Sequence, residues 1–279
     1  MKVMAVVILY HPDAKVLGNI KTYLDDVEQL LILDNSEQGR QNSELAAMLS
    51  ELPHSRYIAF GDNLGISYAL NYALKQADGY DYLLTMDQDS SFSAGMVEKY
   101  KQAIIDFPDK KVAMFAGNYD HKTNNISYKY EKKVITSGSM LKVDIAKEVG
   151  GFDEQLFIDE VDSEFCYRAR KYGYKIVMLY EVQFVHKLGE LKEEVNLFGH
   201  RKMCLGCHEP IRMYYIIRNR VYVMKKYPQV IFPYICYFKS CFRSLFFGYQ
   251  YKRTETRRMI LRGIKDGWLD RMGKYQVDS

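Results

Sequence analysis

Four short runs rich in aliphatic, β-branched and aromatic residues, at positions 3–10, 29–33, 56–60 and 82–86, recur along the amino-terminal part of this chain. Runs of that length bounded by turn-forming residues read as strands, and the stretches at 16–27 and 66–76 between them place apolar residues at helical spacing. This alternation is the pattern of parallel strands joined by helices, so it constrains the chain to an α/β fold. Every strand but the first runs into Asp or Asn: Asp34-Asn35-Ser36 after the second, Asn63 just beyond the third, and Asp87-Gln88-Asp89 at the end of the fourth. In an open α/β sheet, ligands bind outside the carboxyl ends of the strands, where loops and helix amino termini converge. Asp34, Asn63 and Asp87 are therefore expected along one edge. Each could singly be a turn former or a helix cap, but three at the same topological edge weaken that account.

Asp87-Gln88-Asp89 is the most chemically pointed of these. Two carboxylates one residue apart at a strand end are poorly placed for packing, because each charge would have to be paired or buried at a cost. They are well placed for a hard divalent cation, Mg²⁺ or Mn²⁺, which takes carboxylate oxygens and leaves room for the phosphates of a nucleotide. His186 follows a β-rich run at 183–185, and its imidazole could complete such a site. A second acidic cluster, Asp159, Glu160, Asp162 and Glu164, is flanked by Phe157, Ile158, Val161 and Phe165 and reads as the start of a helix. Acids in a first turn oppose the helix dipole favourably; four among apolar residues exceed what capping needs. Residues 111–116, 133–136 and 175–180 look like further strands, and Thr136-Ser137-Gly138-Ser139 is a small-residue loop that would let backbone approach a ligand.

With 279 residues, 48% hydrophobic and 27% charged, the chain can bury a sizeable core. The formal net charge of +4 is too mild to argue for a nucleic-acid partner, and no Arg-rich run appears. Five cysteines, an odd number at low density, point to reduced thiols in a cytoplasmic protein. Cys204-Leu205-Gly206-Cys207-His208, with His200 upstream, is too short and lacks a second pair at finger spacing, so free thiols are expected there rather than zinc. The carboxyl-terminal part is basic and rich in aromatics. The stretch 230–251 is interrupted by Pro233, Lys239 and Arg243, which argues against a spanning helix and for an interfacial amphipathic one, with a core helix or a dimer contact as the alternative.

Taken in order, these residues resemble the inverting glycosyltransferases of family 2, and within them the bacterial rhamnosyltransferase group that builds surface polysaccharides. The resemblance runs through Asp34-Asn35-Ser36, Asn63-Leu64-Gly65 with Asn71, Asp87-Gln88-Asp89, Ser137-Gly138-Ser139, Gly151-Phe152-Asp153, residues 157–168, and His186-Lys187-Leu188-Gly189-Glu190. It continues through His208, Pro210, Arg212-Met213-Tyr214-Tyr215, Arg218-Asn219 and Gly263-Ile264-Lys265-Asp266-Gly267, so it covers nearly the whole chain.

The resemblance implies a GT-A fold, a Rossmann-like mixed sheet flanked by helices over residues 1–210, with a helical, membrane-proximal extension at 211–279 that serves the acceptor, the membrane or a homodimer. It implies that Asp34 contacts the pyrimidine base with Tyr10 and Asn63 nearby, that Asp87 faces the ribose and diphosphate, and that Asp89 and His186 hold Mg²⁺ or Mn²⁺. The catalytic base in such enzymes is an Asp opening the helix that ends in Cys-x-Arg. Counting back from Cys166-Tyr167-Arg168 gives Asp162. Val161 stands where an acid is commoner, so Asp159 is a rival. Arg212 and Arg218 would steady phosphate or acceptor. The implied donor is a nucleotide sugar, dTDP-rhamnose before a UDP-sugar, and the implied acceptor is a saccharide, lipid-linked at the inner face of the cell membrane. Two other readings compete. A sugar-1-phosphate nucleotidyltransferase would carry a Gly-rich basic loop after the first strand, where His11-Pro12-Asp13 stands instead. A non-catalytic scaffold subunit would have no reason to keep Asp89, Asp162 and His186.

Overall fold

The structure, a computed structural model, describes residues 1–119, 126–186, 193–195, 201–203, 208–247 and 253–276. The Cys204 to Cys207 segment, Lys187 to Glu190 and Tyr249 to Lys252 lie outside the described residues. The strands are β1 Val3–Leu9, β2 Gln29–Asp34, β3 Ser55–Ala59, β4 Tyr82–Asp87, β5 Ser91–Phe92, β6 Val112–Asn118, β7 Tyr128–Tyr130, β8 Ser139–Lys142, β9 Lys175–Val185, β10 Glu193–Val195 and β11 Arg201–Met203. The helices are α1 Lys15–Ile20, α2 Ser43–Ser50, α3 Ile66–Gln76, α4 Met96–Ile105, α5 Val143–Glu148, α6 Val161–Lys171, α7 Pro210–Lys226, α8 Ile231–Phe247 and α9 Arg253–Trp268. The chain separates into two compact units, Met1–Glu154 with Val161–Lys187, and Gln155–Glu160 with Leu188–Ser279.

The first unit is built on one sheet in the order β3-β2-β1-β4-β8-β6-β9-β5, with β7 added against β9. β1 lies between β2 and β4 and pairs parallel with both. It is buried at every position, as a strand covered on two faces must be, and that explains its unbroken apolar run. The direction in which strands are added reverses at β1, since β2 and β3 lie on one side and β4 on the other. Such a reversal opens a crevice at the carboxyl ends. β8 runs antiparallel to both β4 and β6, which makes the sheet mixed.

Two local expectations change. Residues 133–136 form no strand; the strand begins at Ser139, because Gly138 takes φ +69° and turns the chain just before it. A Cβ on Gly138 would lie 2.5 Å from the Phe184 ring, so the glycine makes room for a buried aromatic rather than for a ligand. Residues 175–180 and 183–185 are one strand, with extra β9 residues bulged out where Gly117 pairs Leu179 and Asn118 pairs Gln183.

The second unit rests on α7 and α9. Gly263 and Gly267, four apart on one face of α9, lie against the backbone of α7: a Cβ on Gly263 would meet the Tyr214 carbonyl at 2.8 Å. The segment Gln155–Glu160 belongs to this unit. Phe157 stacks on Tyr215 with ring centroids 5.2 Å apart, and Asn219 Nδ2 donates to the carbonyls of Ile158 and Asp159 at 2.6 and 3.0 Å. Among the described residues no helix is long and apolar enough to cross a membrane.

Candidate active site

Parallel pairing aligns the strand ends, as the sequence requires. In the ladder Leu9 stands beside Asp34, and Ile8 beside Asp87, so the loops after β1, β2 and β4 leave the sheet side by side. Asp34 is buried, and its carboxylate accepts from the Ser36 amide at 2.9 Å and the Tyr57 hydroxyl at 2.6 Å. Asn63 Oδ1 accepts from Asn35 Nδ2 at 3.1 Å and from the Gly65 amide, while Asn35 Oδ1 accepts from the Leu64 amide at 2.8 Å. These bonds join the loop after β2 to the loop after β3. Tyr10 is exposed and stacks on His11 at 4.1 Å; its hydroxyl donates to Glu37, which also holds His11 Nε2 at 2.6 Å.

The middle residue of the acidic triplet has its own job. Gln88 Oε1 accepts from the Tyr10 amide at 2.8 Å and its Nε2 donates to the Tyr10 carbonyl at 3.2 Å, which ties the β4 loop to the β1 loop. Asp87 and Asp89 then share a space with His186, the ligand atoms of all three lying within 4.8 Å of one another. His186 Nδ1 is 3.4 Å from Asp89 Oδ1 and 3.9 Å from Asp87 Oδ2. The contact with Asp89, helped by the charges of both carboxylates and opposed by burial, raises the imidazole above its ordinary pKa. Ser90 Oγ bonds His186 Nδ1 and Ser137 Oγ, each at 2.8 Å, and Ser137 Oγ also accepts from the Asp87 amide at 3.1 Å. Two carboxylates and an imidazole, the acids half exposed, fit a hard or borderline divalent cation that keeps open positions for other oxygens.

Sequence patterning does not mark Ser90 as a site residue, its one signal being its place directly after the triplet, and it names Ser137 only within the small-residue loop and the family resemblance.

Asp162 lies in the first turn of α6, half-buried, its Oδ1 accepting from the Ser163 amide at 2.8 Å. Only residues 172–174 separate α6 from β9. Lys133 Nζ bonds Ser163 Oγ at 3.2 Å, which ties the first turn of α6 to the chain four residues before Ser137. Glu164 is fully buried and pairs with Arg168, whose Nη1 and Nη2 also donate to the carbonyls of Val149 and Gly151 at 2.6 and 2.7 Å. The Arg of Cys-x-Arg thus fixes α6 to the turn at Gly150-Gly151. Asn71 holds the next residue, accepting from the Phe152 amide and donating to its carbonyl, and a Cβ on Gly151 would meet Asn71 Oδ1 at 2.5 Å.

In the second unit, Asp159 and Glu160 have φ of +63° and +61°, a left-handed pair of residues with side chains, which is strained backbone. Asp159 gives both oxygens to Arg212, at 2.9 and 3.1 Å, and Glu160 accepts from Arg220 Nε at 2.7 Å and the Tyr234 hydroxyl at 2.6 Å. Arg212 is half exposed, whereas Arg218 is buried with its guanidinium 5.2 and 4.9 Å from the Tyr214 and Tyr215 rings. Arg218 bonds Asn219 and the Gly273 carbonyl.

Comparison with known proteins agrees with this geometry. Residues 14–164 match the family described as glycosyl transferase family 2. The dTDP-rhamnosyl transferase RfbF of Shigella flexneri is 27% identical over 246 residues, 80% of each chain. Among solved structures, GalNAc-T7 with UDP, GalNAc and Mn²⁺ superposes with TM-score 0.59 at 9% identity, over 78% of this chain and 47% of that one. Residues 1–349 of TarS from S. aureus, in complex with UDP-GlcNAc, give 0.52 at 16% identity, over 79% of this chain and 66% of that one. The chain therefore spans less than two thirds of the solved structures it matches, and these likenesses speak to the fold, which is GT-A. The sheet, the acidic group at its carboxyl edge and the family match together lead to one conclusion: the chain belongs to glycosyl transferase family 2 and is a glycosyltransferase.

Proposed function

We propose that this protein is an inverting rhamnosyltransferase, which moves L-rhamnose from dTDP-rhamnose onto a saccharide acceptor, lipid-linked, in the assembly of a cell-surface polysaccharide. The observation that supports transfer from a nucleotide sugar is the cluster of Asp87, Asp89 and His186 at the strand-end edge that also carries Asp34, tied to Tyr10 through Gln88. The similarity to a dTDP-rhamnosyl transferase over 80% of both chains supports rhamnose as the donor sugar.

In this reading the pyrimidine lies against Tyr10, with Asp34 and Asn63 framing it, and Asp87 faces the ribose and diphosphate. Asp89 and His186 would hold Mg²⁺ or Mn²⁺, which supplies charge stabilisation to a departing diphosphate. Asp162 accepts the proton of an acceptor hydroxyl. That oxygen attacks C1 of the donor sugar from the face opposite the diphosphate, the C1–O bond breaks, and nucleoside diphosphate leaves with the electron pair. The configuration at C1 inverts. Asp162 is preferred to Asp159 as base because Asp159 gives both its oxygens to one guanidinium.

The test is a calorimetric panel of nucleotide sugars with Mg²⁺, with Mn²⁺ and with chelator. dTDP-rhamnose binds in the presence of metal, and binding weakens on chelation and in Asp89→Ala. A UDP-sugar that binds where dTDP-rhamnose does not overturns the donor assignment, and donor binding indifferent to chelator overturns the metal site.

A further inference from the structure

α9 has two faces of different character: one packs against α7, while the other is largely exposed, with the Lys225 ammonium 5.8 Å from the centroid of the Trp268 ring. Gly263 and Gly267 lie against the α7 backbone, Ile260 is buried beside them, and Asp266, also buried, accepts from the Tyr214 hydroxyl at 2.9 Å. Roughly 100° further round the helix lie Leu261, Ile264 and Trp268, with Leu269 just beyond the last turn. Their exposures are 67%, 44%, 65% and 50%. Leu261, Ile264 and Trp268 lie within about 60° of one another round the helix, and three large apolar side chains exposed on one stripe are more than scattered surface hydrophobics. Arg258 and Lys265, both exposed, border this stripe, and the acids of the helix, Glu255 and Asp266, lie outside it. Lys225 fixes the end of the helix, donating to the Trp268 carbonyl at 2.7 Å and pairing with Asp270 at 2.7 Å.

We propose that this face of α9 docks on an anionic phospholipid surface, lying in the headgroup plane. An apolar stripe containing Trp and Leu, flanked by cations on flexible stems, is the composition of an interfacial helix: the rings and branched chains enter the acyl boundary while Arg258 and Lys265 reach back to phosphates. Charge decides between occupants. A two-fold contact between copies would set a face bordered by cations against itself, whereas an anionic bilayer matches the cations and the apolar stripe together. This deepens the lipid-linked acceptor reading above and places the contact on α9 rather than on the aromatic stretch at 230–251.

Trp268 is the only tryptophan of the chain, so its emission reports this face directly. Vesicles of phosphatidylglycerol and phosphatidylcholine should shift the emission of the full chain to the blue, pure phosphatidylcholine vesicles should not, and salt should weaken the effect. Leu261→Asp with Ile264→Asp, at exposed positions, abolishes the shift with an unchanged circular dichroism spectrum. Arg258→Gln with Lys265→Gln weakens vesicle binding about thirtyfold, from two cations near a charged headgroup layer. No shift with anionic vesicles overturns the proposal, as does a shift that grows with protein concentration in the absence of vesicles, which would assign the face to a second copy. Donor binding by calorimetry in the same variants stays at the wild-type value. Its failure in the wild-type protein would sink the donor reading and leave the vesicle result standing.

Discussion

Replacing Gly267 with Ala should destabilise the second unit, although helix propensity alone predicts the reverse. In a helix interior Ala is favoured over Gly by about 1 kcal/mol. Against that, a Cβ at Gly267 would overlap the Arg218 carbonyl oxygen and stand 2.9 Å from Val221 Cβ. Both neighbours belong to α7, one of them is backbone, and neither can rotate away. Relief requires α9 and α7 to move apart by about 1 Å, and forcing an added methyl into such a contact costs about 1–3 kcal/mol or more. Moving α7 at Arg218 also disturbs a buried guanidinium that bonds Gly273 and lies over two tyrosine rings. The net expectation is a loss of about 2 kcal/mol. Gly18 is the control: it lies in α1 with nothing within 4 Å of its would-be Cβ, so Gly18→Ala should gain about 0.4–1 kcal/mol. Urea unfolding followed by circular dichroism, together with hydrogen exchange of α9 amides, measures both. If Gly267→Ala raises the midpoint or leaves α9 protection unchanged, α7 and α9 do not approach as closely as described and the expected loss is refuted.

Two further changes address the catalytic side. Asp162→Asn should lower kcat by about 10²–10⁴-fold while leaving donor binding intact, and Asp159→Asn should mainly loosen the Arg212 contact; an active Asp162→Asn beside a dead Asp159→Asn would reverse the assignment of the base. Glu164→Gln removes a fully buried carboxylate from the Arg168 guanidinium and should cost about 3 kcal/mol in urea unfolding. An unchanged midpoint there would mean that Arg168 does not depend on Glu164 to fix α6.

Much of the candidate site is legible in the amino-acid sequence, and for a definable reason. Hydrophobic periodicity is local, so the alternation of strands and helices can be read directly, and parallel pairing then puts Asp34, Asn63 and Asp87 at one edge without further information. What periodicity does not carry is partners far apart in the chain. Ser90 and His186 meet across 96 residues, Asn71 and Phe152 across 81, and Asp159 and Arg212 across 53. Only packing and register decide these contacts. They make Asp89 a neighbour of an imidazole, turn Gly138 from a ligand-facing glycine into space for Phe184, and give Asp159 an arginine that takes both its oxygens. Likewise Gly263 and Gly267 read in sequence as a motif without a role. The sequence by itself determined the α/β alternation and the line of polar residues at the strand ends, because both depend on neighbours a few residues apart. Tertiary structure alone decided which of those residues touch, which guanidinium is buried, and which face of α9 is left to the solvent, because each depends on how close two distant backbones can come.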